Sequence, residues 1–159
     1  MLQDPGGSPH DRKPIPFLQT PFDEWQGQFS PDSRWIAYTS DESGRDDVYV
    51  RPFPSAAGKW KISIAGGQYP RWRHDGRELL YLSPERKLMV APVKAAAGLQ
   101  PVFEVGAPEA LFETHIPVTF NFPYAVAADG KRFLVNTGVG DVTETPLTVV
   151  VNWLAAVKK

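Results

Sequence analysis

Short apolar runs separated by turn residues follow one another along most of this chain. Eight of them are rich in β-branched and aromatic residues: WIAYTS, DVYVRPF, KWKISIA, ELLYLS, KLMVAPV, ALFETHI, RFLVNT and LTVVVNW. Such runs, bounded by Gly, Pro, Asp or Ser, are typical of β-strands. Long stripes of period 3.6 are absent, and 16 prolines and 13 glycines interrupt the sequence too often for long helices. The pattern predicts an all-β fold, with only the C-terminal NWLAAVKK suited to a helical turn.

One ten-residue pattern occurs three times, as FSPDSRWIAY, WRHDGRELLY and VAADGKRFLV. Each copy has an aspartate, a basic residue two positions later and then an apolar pair. The aspartates are Asp32, Asp75 and Asp129, which lie 43 and 54 residues apart. A repeat of about 40 to 45 residues is the length of a four-stranded propeller blade.

The three aspartates are interpreted as turn formers, because each stands beside Gly or Ser in a short hairpin signal. A metal-binding alternative is disfavoured, since none of them belongs to an EF-hand-like spacing. The acidic segment DESGRDD, residues 41–47, is interpreted as a loop between the strands WIAYTS and DVYVRPF, because Ser43-Gly44 at its centre is typical of a loop.

The ordered run TSDESGR, VYVRPFP, PRWR and DGRELLYL resembles the TolB-like, WD-type β-propeller repeats of bacteria. The resemblance is closest to the C-terminal propeller segments of bacterial serine/threonine protein kinases, and it covers about residues 12–159. It implies a β-propeller with four-stranded antiparallel blades. Ser33 stands where the family usually has Gly, which leaves the type of that turn open.

The repeats divide the chain into a flexible N-terminal tail and about three blades. A strand at 14–20, PIPFLQT, precedes the first blade and is predicted to be a closing outer strand, since pairing would remove an exposed edge. The predicted ranges are 1–13 for the tail, 14–159 for the propeller segment, and 25–64, 68–113 and 121–153 for the blades.

Three blades are too few for a ring, because propellers close with about four to eight. We therefore expect a C2 homodimer that forms a six-bladed ring, with PIPFLQT completing a third blade. The alternative is that further blades belong to a larger parent protein.

Composition excludes several classes of partner. The net charge of -1, from 17 Lys and Arg against 18 Asp and Glu, gives no basic field for nucleic acid. The longest apolar stretch, residues 147–157, is well short of the about 20 residues of a membrane helix, so membrane insertion by this segment is not expected. The absence of cysteine excludes disulfides and thiolate metal sites and leaves the compartment open. A sensor role would place the chain outside the cytoplasm.

No catalytic signature is present. The sequence has no nucleophile elbow, kinase motif, Walker motif or dinucleotide fingerprint, and its histidines, His10, His74 and His115, are scattered. We predict a noncatalytic chain without cofactor or metal. The five tryptophans are predicted to wedge neighbouring blades together.

The segment PRWR is the best binding candidate, because the first strand of a blade lines the central channel. Strand alternation places Arg71 and Arg73 on one side, with Gln28 and Tyr69 nearby. These groups suit an anionic or peptide-like ligand. Hydrogen bonding between blades is the competing interpretation.

Two functions stay open. The first is a binding or scaffolding propeller module that recognises a protein, peptide or small ligand, as the sensor part of a kinase-like receptor. The second is the accessory propeller of a peptidase or other hydrolase, a role that the resembling family also fills.

Overall fold

The computed structural model describes residue 14 and residues 16–55, 57–96, 101–116 and 123–137, together with the backbone of residues 147–151. The predicted tail and the predicted C-terminal helical turn lie outside these residues. The described part contains only strands, and it has no helix that could cross a membrane. The strands are β1 Glu24–Phe29, β2 Trp35–Ser40, β3 Asp47–Pro52, β4 Trp60–Lys61, β5 Gln68–Trp72, β6 Glu78–Leu82, β7 Lys87–Ala96, β8 Val102–Val105, β9 Glu109–Glu113, β10 Tyr124–Val126, β11 Arg132–Asn136 and β12 Leu147–Val151.

The strands form three consecutive antiparallel sheets. The first has the order β1-β2-β3-β4, the second begins β5-β6-β7, and the third is β10-β11-β12. Neighbours in the chain are therefore neighbours in each sheet, which is the meander of a propeller blade. The predicted fold class, an all-β chain built from antiparallel blade sheets, is confirmed.

The second sheet carries an extension that the sequence did not predict. The predicted strand KLMVAPV continues to Ala96, and the second half of the resulting β7 pairs with β8 through Val93↔Val105 to Ala96↔Val102. The first half of β7 pairs with β9, which overlaps the predicted strand ALFETHI. The β7–β8 hairpin therefore projects beyond the blade.

The repeated aspartates hold the turn after the first strand of each sheet. The carboxylates of Asp32, Asp75 and Asp129 accept the backbone N–H two residues further on, at 3.1, 3.0 and 2.9 Å. The turn-forming interpretation of these residues is therefore confirmed.

The turn at Ser33 has the same backbone conformation at this position as the turns of the other two repeats. The Ser33 φ of 58° is left-handed, like the 70° of Gly76 and the 65° of Gly130 at the same place in the other repeats. A left-handed conformation costs a residue with a Cβ about 1 kcal/mol or more. The hydrogen bonds of this hairpin, including Ser33 N–H to the Ser30 carbonyl at 2.8 Å, hold it in place.

Two apolar cores lie between the sheets. The core between the first and second sheets contains Trp35, Val48 and Leu79, with Trp60 and Trp72 packed against it. A second core joins the second and third sheets, with members such as Leu88, Leu111, Tyr124 and Phe133. Three of the five tryptophans thus wedge sheets together as predicted, Trp25 lines a shallow groove on the first sheet, and Trp153 lies outside the described residues.

The N-terminal segment lies on the outer face of the first sheet. Phe17 and Leu18 pack against a small cluster formed by Ile36, Tyr38 and Tyr49, and the described residues between 14 and 20 form no strand within this single chain. Closure of a blade by this segment requires a second strand edge and stays a prediction.

Candidate functional site

The first strands of successive sheets are joined by hydrogen bonds. Gln26 in β1 accepts the backbone N–H of Tyr69 in β5 through its side-chain oxygen at 2.7 Å. The Tyr124 hydroxyl in β10 donates to the Tyr69 carbonyl at 2.7 Å. β1 and β5 therefore lie side by side, and a side-chain hydrogen bond joins β10 to β5. In a propeller the first strands of the blades line the central channel.

A bulge at the same repeat position shapes β1 and β5. Gln26 and Tyr69 both have a φ of 59°, and the pairing register shifts beside each of them. A bulge bends the strand and re-aims the next side chains, which are Gln28 in β1 and Arg71 in β5. Sequence reasoning missed Gln26 and Tyr124, because neither a positive φ at glutamine nor a buried tyrosine has a sequence signal.

Arg71 in β5 is a half-buried cation. Its guanidinium lies 6.0 Å from the centre of the Tyr124 ring, and Nη1 donates to the Pro70 carbonyl at 2.9 Å. Within the described residues it has no carboxylate at ion-pair distance. Burial raises the pKa of the Tyr124 hydroxyl, so this ring stays neutral beside the cation.

Arg73 is already neutralised. Its guanidinium contacts Glu78 at 2.8 Å and Asp75 at 3.3 Å, and the hydrogen bond to Glu78 raises the pKa of Arg73. A side chain at Gly130 would meet Nε of Arg73, since a Cβ there would lie 2.7 Å away. Arg73 thus forms its ion pairs within its own hairpin and packs against the turn of the third repeat without a hydrogen bond to it.

Alternation along β5 directs the neighbouring side chains to opposite sheets. Arg71 contacts Tyr124 in the third sheet, whereas the indole Nε1 of Trp72 donates to the Gln28 carbonyl in the first sheet at 3.2 Å. Tyr69 contributes through its backbone, and its ring packs against the core between the second and third sheets.

Gln28 and Arg71 meet in a depression of about 430 Å³. Its lining also includes His74 and apolar residues of both flanking repeats, while Tyr69 and Arg73 are not part of it. An amide and an unpaired guanidinium beside apolar walls can hold a carboxylate or a peptide group. Among the described residues, no three His, Asp or Glu side chains are grouped to hold a metal ion.

Comparison with known proteins gives likenesses to solved structures. No family model matches the chain, and no curated protein matches it. The crystal structure of TolB from Acinetobacter baumannii aligns with 85% of this chain at 15% sequence identity and a TM-score of 0.40. The chain covers 42% of that structure, less than half of its length. The link to protein kinases is not tested by this likeness and stays a prediction.

Proposed function

We propose that this chain is a noncatalytic binding module of propeller architecture that recognises peptides or other ligands through a carboxylate. The ligand lies across the first strands of the sheets, and Arg71 is its anchor. Gln28 supplies an amide for a neighbouring peptide group.

The observation that carries this proposal is that Arg71 has no carboxylate partner among the described residues. A half-buried guanidinium is partly desolvated, and an incoming carboxylate restores the interactions that water no longer provides. Tyr124 fixes the guanidinium from one side, so little conformational entropy is lost on binding. Arg73, with two carboxylate partners of its own, cannot serve in the same way.

A fluorescein-labelled peptide of sequence Gly-Glu-Leu-Glu-Leu-Glu-Gly amide tests the anchor by fluorescence anisotropy. We expect saturable binding by the chain and a loss of affinity of tenfold or more for Arg71→Ala, because a charge-assisted hydrogen bond contributes about 1.5 to 3 kcal/mol. Binding should also weaken with added salt.

Arg34→Ala is the matched control, since it removes one positive charge from an exposed turn residue outside the depression. It should leave the affinity unchanged. Equal losses for the two variants, or no binding by the unmodified chain up to millimolar concentration, would contradict the anchor role of Arg71.

We further propose that two copies complete a six-bladed ring. The outer face of the first sheet carries Tyr38, Tyr49 and the 49% exposed Phe29, and Phe17, Leu18 and Phe53 pack against it. On the last sheet, Leu134 is 39% exposed and points away from the core that its neighbours enter. These two faces are where further blades would pack.

Sedimentation velocity over a range of concentrations tests the ring. The expected mass is twice the 17.7 kDa of the chain. Leu134→Glu should shift the chain to monomer, because it buries a charge in the new interface. Val102→Glu is the control, since Val102 is 53% exposed on the β7–β8 hairpin. A monomer that persists at high concentration would contradict this assembly.

The most specific version of the proposed function is a sensor role beside a kinase domain. It is supported by the family resemblance of the sequence alone. A kinase domain and a membrane helix encoded in the same reading frame would support it, and a hydrolase domain there would favour the accessory role instead.

A further inference from the structure

A second cavity, of about 780 Å³, lies between the first and second sheets. One wall is formed by the Asp32 turn and the Asp75 turn, and the other wall by the β7–β8 hairpin. Trp35 and Trp72 line it, whereas Gln28 and Arg71 do not. We call this cavity the hairpin cleft.

The Asp32 carboxylate differs from its two repeat equivalents. Asp75 pairs with Arg73 at 3.3 Å, and Asp129 pairs with Arg132 at 3.0 Å. Within the part of the chain that the structure describes, Asp32 has no such cation.

Asp32 lacks a cation among the described residues because the first repeat has other residue types at the two positions that provide one in the other repeats. Ser30 occupies the place of Arg73, and Trp35 occupies the place of Arg132. The Ser30 hydroxyl donates to Asp32 at 2.6 Å, which orients the carboxylate without neutralising it. The first repeat therefore presents an oriented, uncompensated negative charge beside aromatic rings.

Trp35 is a buried residue of the cleft lining. It is 1% exposed, and its Nε1 is buried, with no acceptor among the described residues. Because Nε1 is not open to the cleft, a ligand would contact the indole ring and not this donor.

The other charged residues of the cleft lining include one ion pair and one exposed arginine. Lys94 pairs with Glu104 at 3.8 Å on the hairpin. Arg77 is exposed at the rim, where its donors can meet carbonyl groups of a ligand. Trp72, Pro92 and Val105 give the cleft an apolar surface.

We propose that the hairpin cleft is a second ligand site, which takes an extended peptide segment through one basic side chain. The guanidinium or ammonium group pairs with Asp32, and the aliphatic part of that side chain lies on the tryptophan and proline surface. This site is independent of the carboxylate anchor at Arg71.

Two labelled hexapeptides test the proposal, Gly-Leu-Arg-Pro-Leu-Gly amide and the same peptide with Gln in place of Arg. We expect the chain to bind the Arg peptide at least tenfold more tightly by anisotropy. Asp32→Asn should reduce that discrimination at least fivefold, while the Asn side-chain oxygen can still accept the Arg34 N–H of the turn.

Asp129→Asn is the matched control, because it makes the same change in a turn outside the cleft. It should leave the discrimination unchanged, and so should Arg71→Ala. If Asp32→Asn lowers the melting temperature, Ala95→Arg is tested in its place. Ala95 is exposed on the opposite wall of the cleft, and an arginine there would compete with the basic side chain of the peptide for Asp32. Equal binding of the two peptides, or equal effects of Asp32→Asn and Asp129→Asn in folded protein, would overturn the proposal.

Discussion

Replacing Phe103 with alanine should lower the free energy of unfolding by about 3 to 5 kcal/mol, the range for a buried phenylalanine. Phe103 is 5% exposed, and its ring centre lies 5.0 Å from Trp35, 5.8 Å from Trp60 and 6.2 Å from Trp72. One side chain of β8 thus completes an aromatic cluster whose other members come from the first sheet and from β5. Its removal leaves a cavity at the interface of two blades, where the surrounding rings cannot collapse easily.

Urea unfolding followed by tryptophan fluorescence measures this loss, because three tryptophans surround the cavity. Val102→Ala is the control from the same strand, since Val102 is 53% exposed and should change stability by less than about 0.5 kcal/mol. If Phe103→Ala costs less than about 1 kcal/mol, the hairpin does not hold the two sheets together.

The importance of Phe103 could not be predicted from the sequence. The repeat pattern accounts for four strands in a blade, and it predicts no strand between the runs KLMVAPV and ALFETHI, where Phe103 lies. The segment KAAAGLQ has few strand-forming residues, so nothing local marks the extension of β7 to Ala96. The pairing of β8 with β7 becomes apparent only in the folded sheet, as does the insertion of one phenylalanine between three tryptophans.

The strands and turns of the repeats could be predicted, because they depend on residues that are close together in the sequence. Their signals are local: an apolar run rich in β-branched and aromatic residues, side chains that alternate between the two faces of a strand, and an aspartate that bonds the backbone two residues on. The same alternation placed Arg71 and Trp72 on opposite sides of β5. It could not show that Arg73 would find Glu78 across the hairpin, because that contact depends on the register of β5 and β6.

The structure of the acidic segment 41–47 could be predicted only in part from its own sequence. The loop at its centre is present, with Gly44 at a φ of 83°. Its last residue, Asp47, also begins the predicted strand DVYVRPF, and it is the fully buried first residue of β3. Burial of that carboxylate depends on groups that are distant in sequence.

Replacing Asp47 with asparagine should cost about 2 to 3 kcal/mol of stability at pH 7, since it removes a buried charge from its partners. The carboxylate accepts from the Ser63 hydroxyl at 2.6 Å, the Ser43 hydroxyl at 2.5 Å and the Lys61 ammonium at 2.6 Å. Ser63 in turn accepts the Val48 N–H at 2.9 Å. The network therefore ties the loop, β3 and the segment after β4 together. Lys61 is partly exposed, so water limits the loss.

Urea unfolding at pH 7 compares this variant with Glu113→Gln, whose exposed carboxylate lies 3.9 Å from Lys87 and should contribute less than about 0.5 kcal/mol. A similar cost for the two variants would mean that the Asp47 network does not stabilise the fold.

The stability difference between the unmodified chain and Asp47→Asn should also depend on pH. Burial alone raises the pKa of Asp47, but the hydrogen bonds from Lys61, Ser43 and Ser63 outweigh it, and the pKa lies below the ordinary value of 3.8. A carboxyl group with a lowered pKa in the folded state stabilises the fold above its unfolded pKa and loses this contribution as the pH falls through the folded value. Asparagine does not titrate, so the difference should narrow as the pH falls below about 3.8. A difference that stays constant from pH 7 to pH 2 would show that the charge of Asp47 contributes nothing, and that the network acts through its geometry alone.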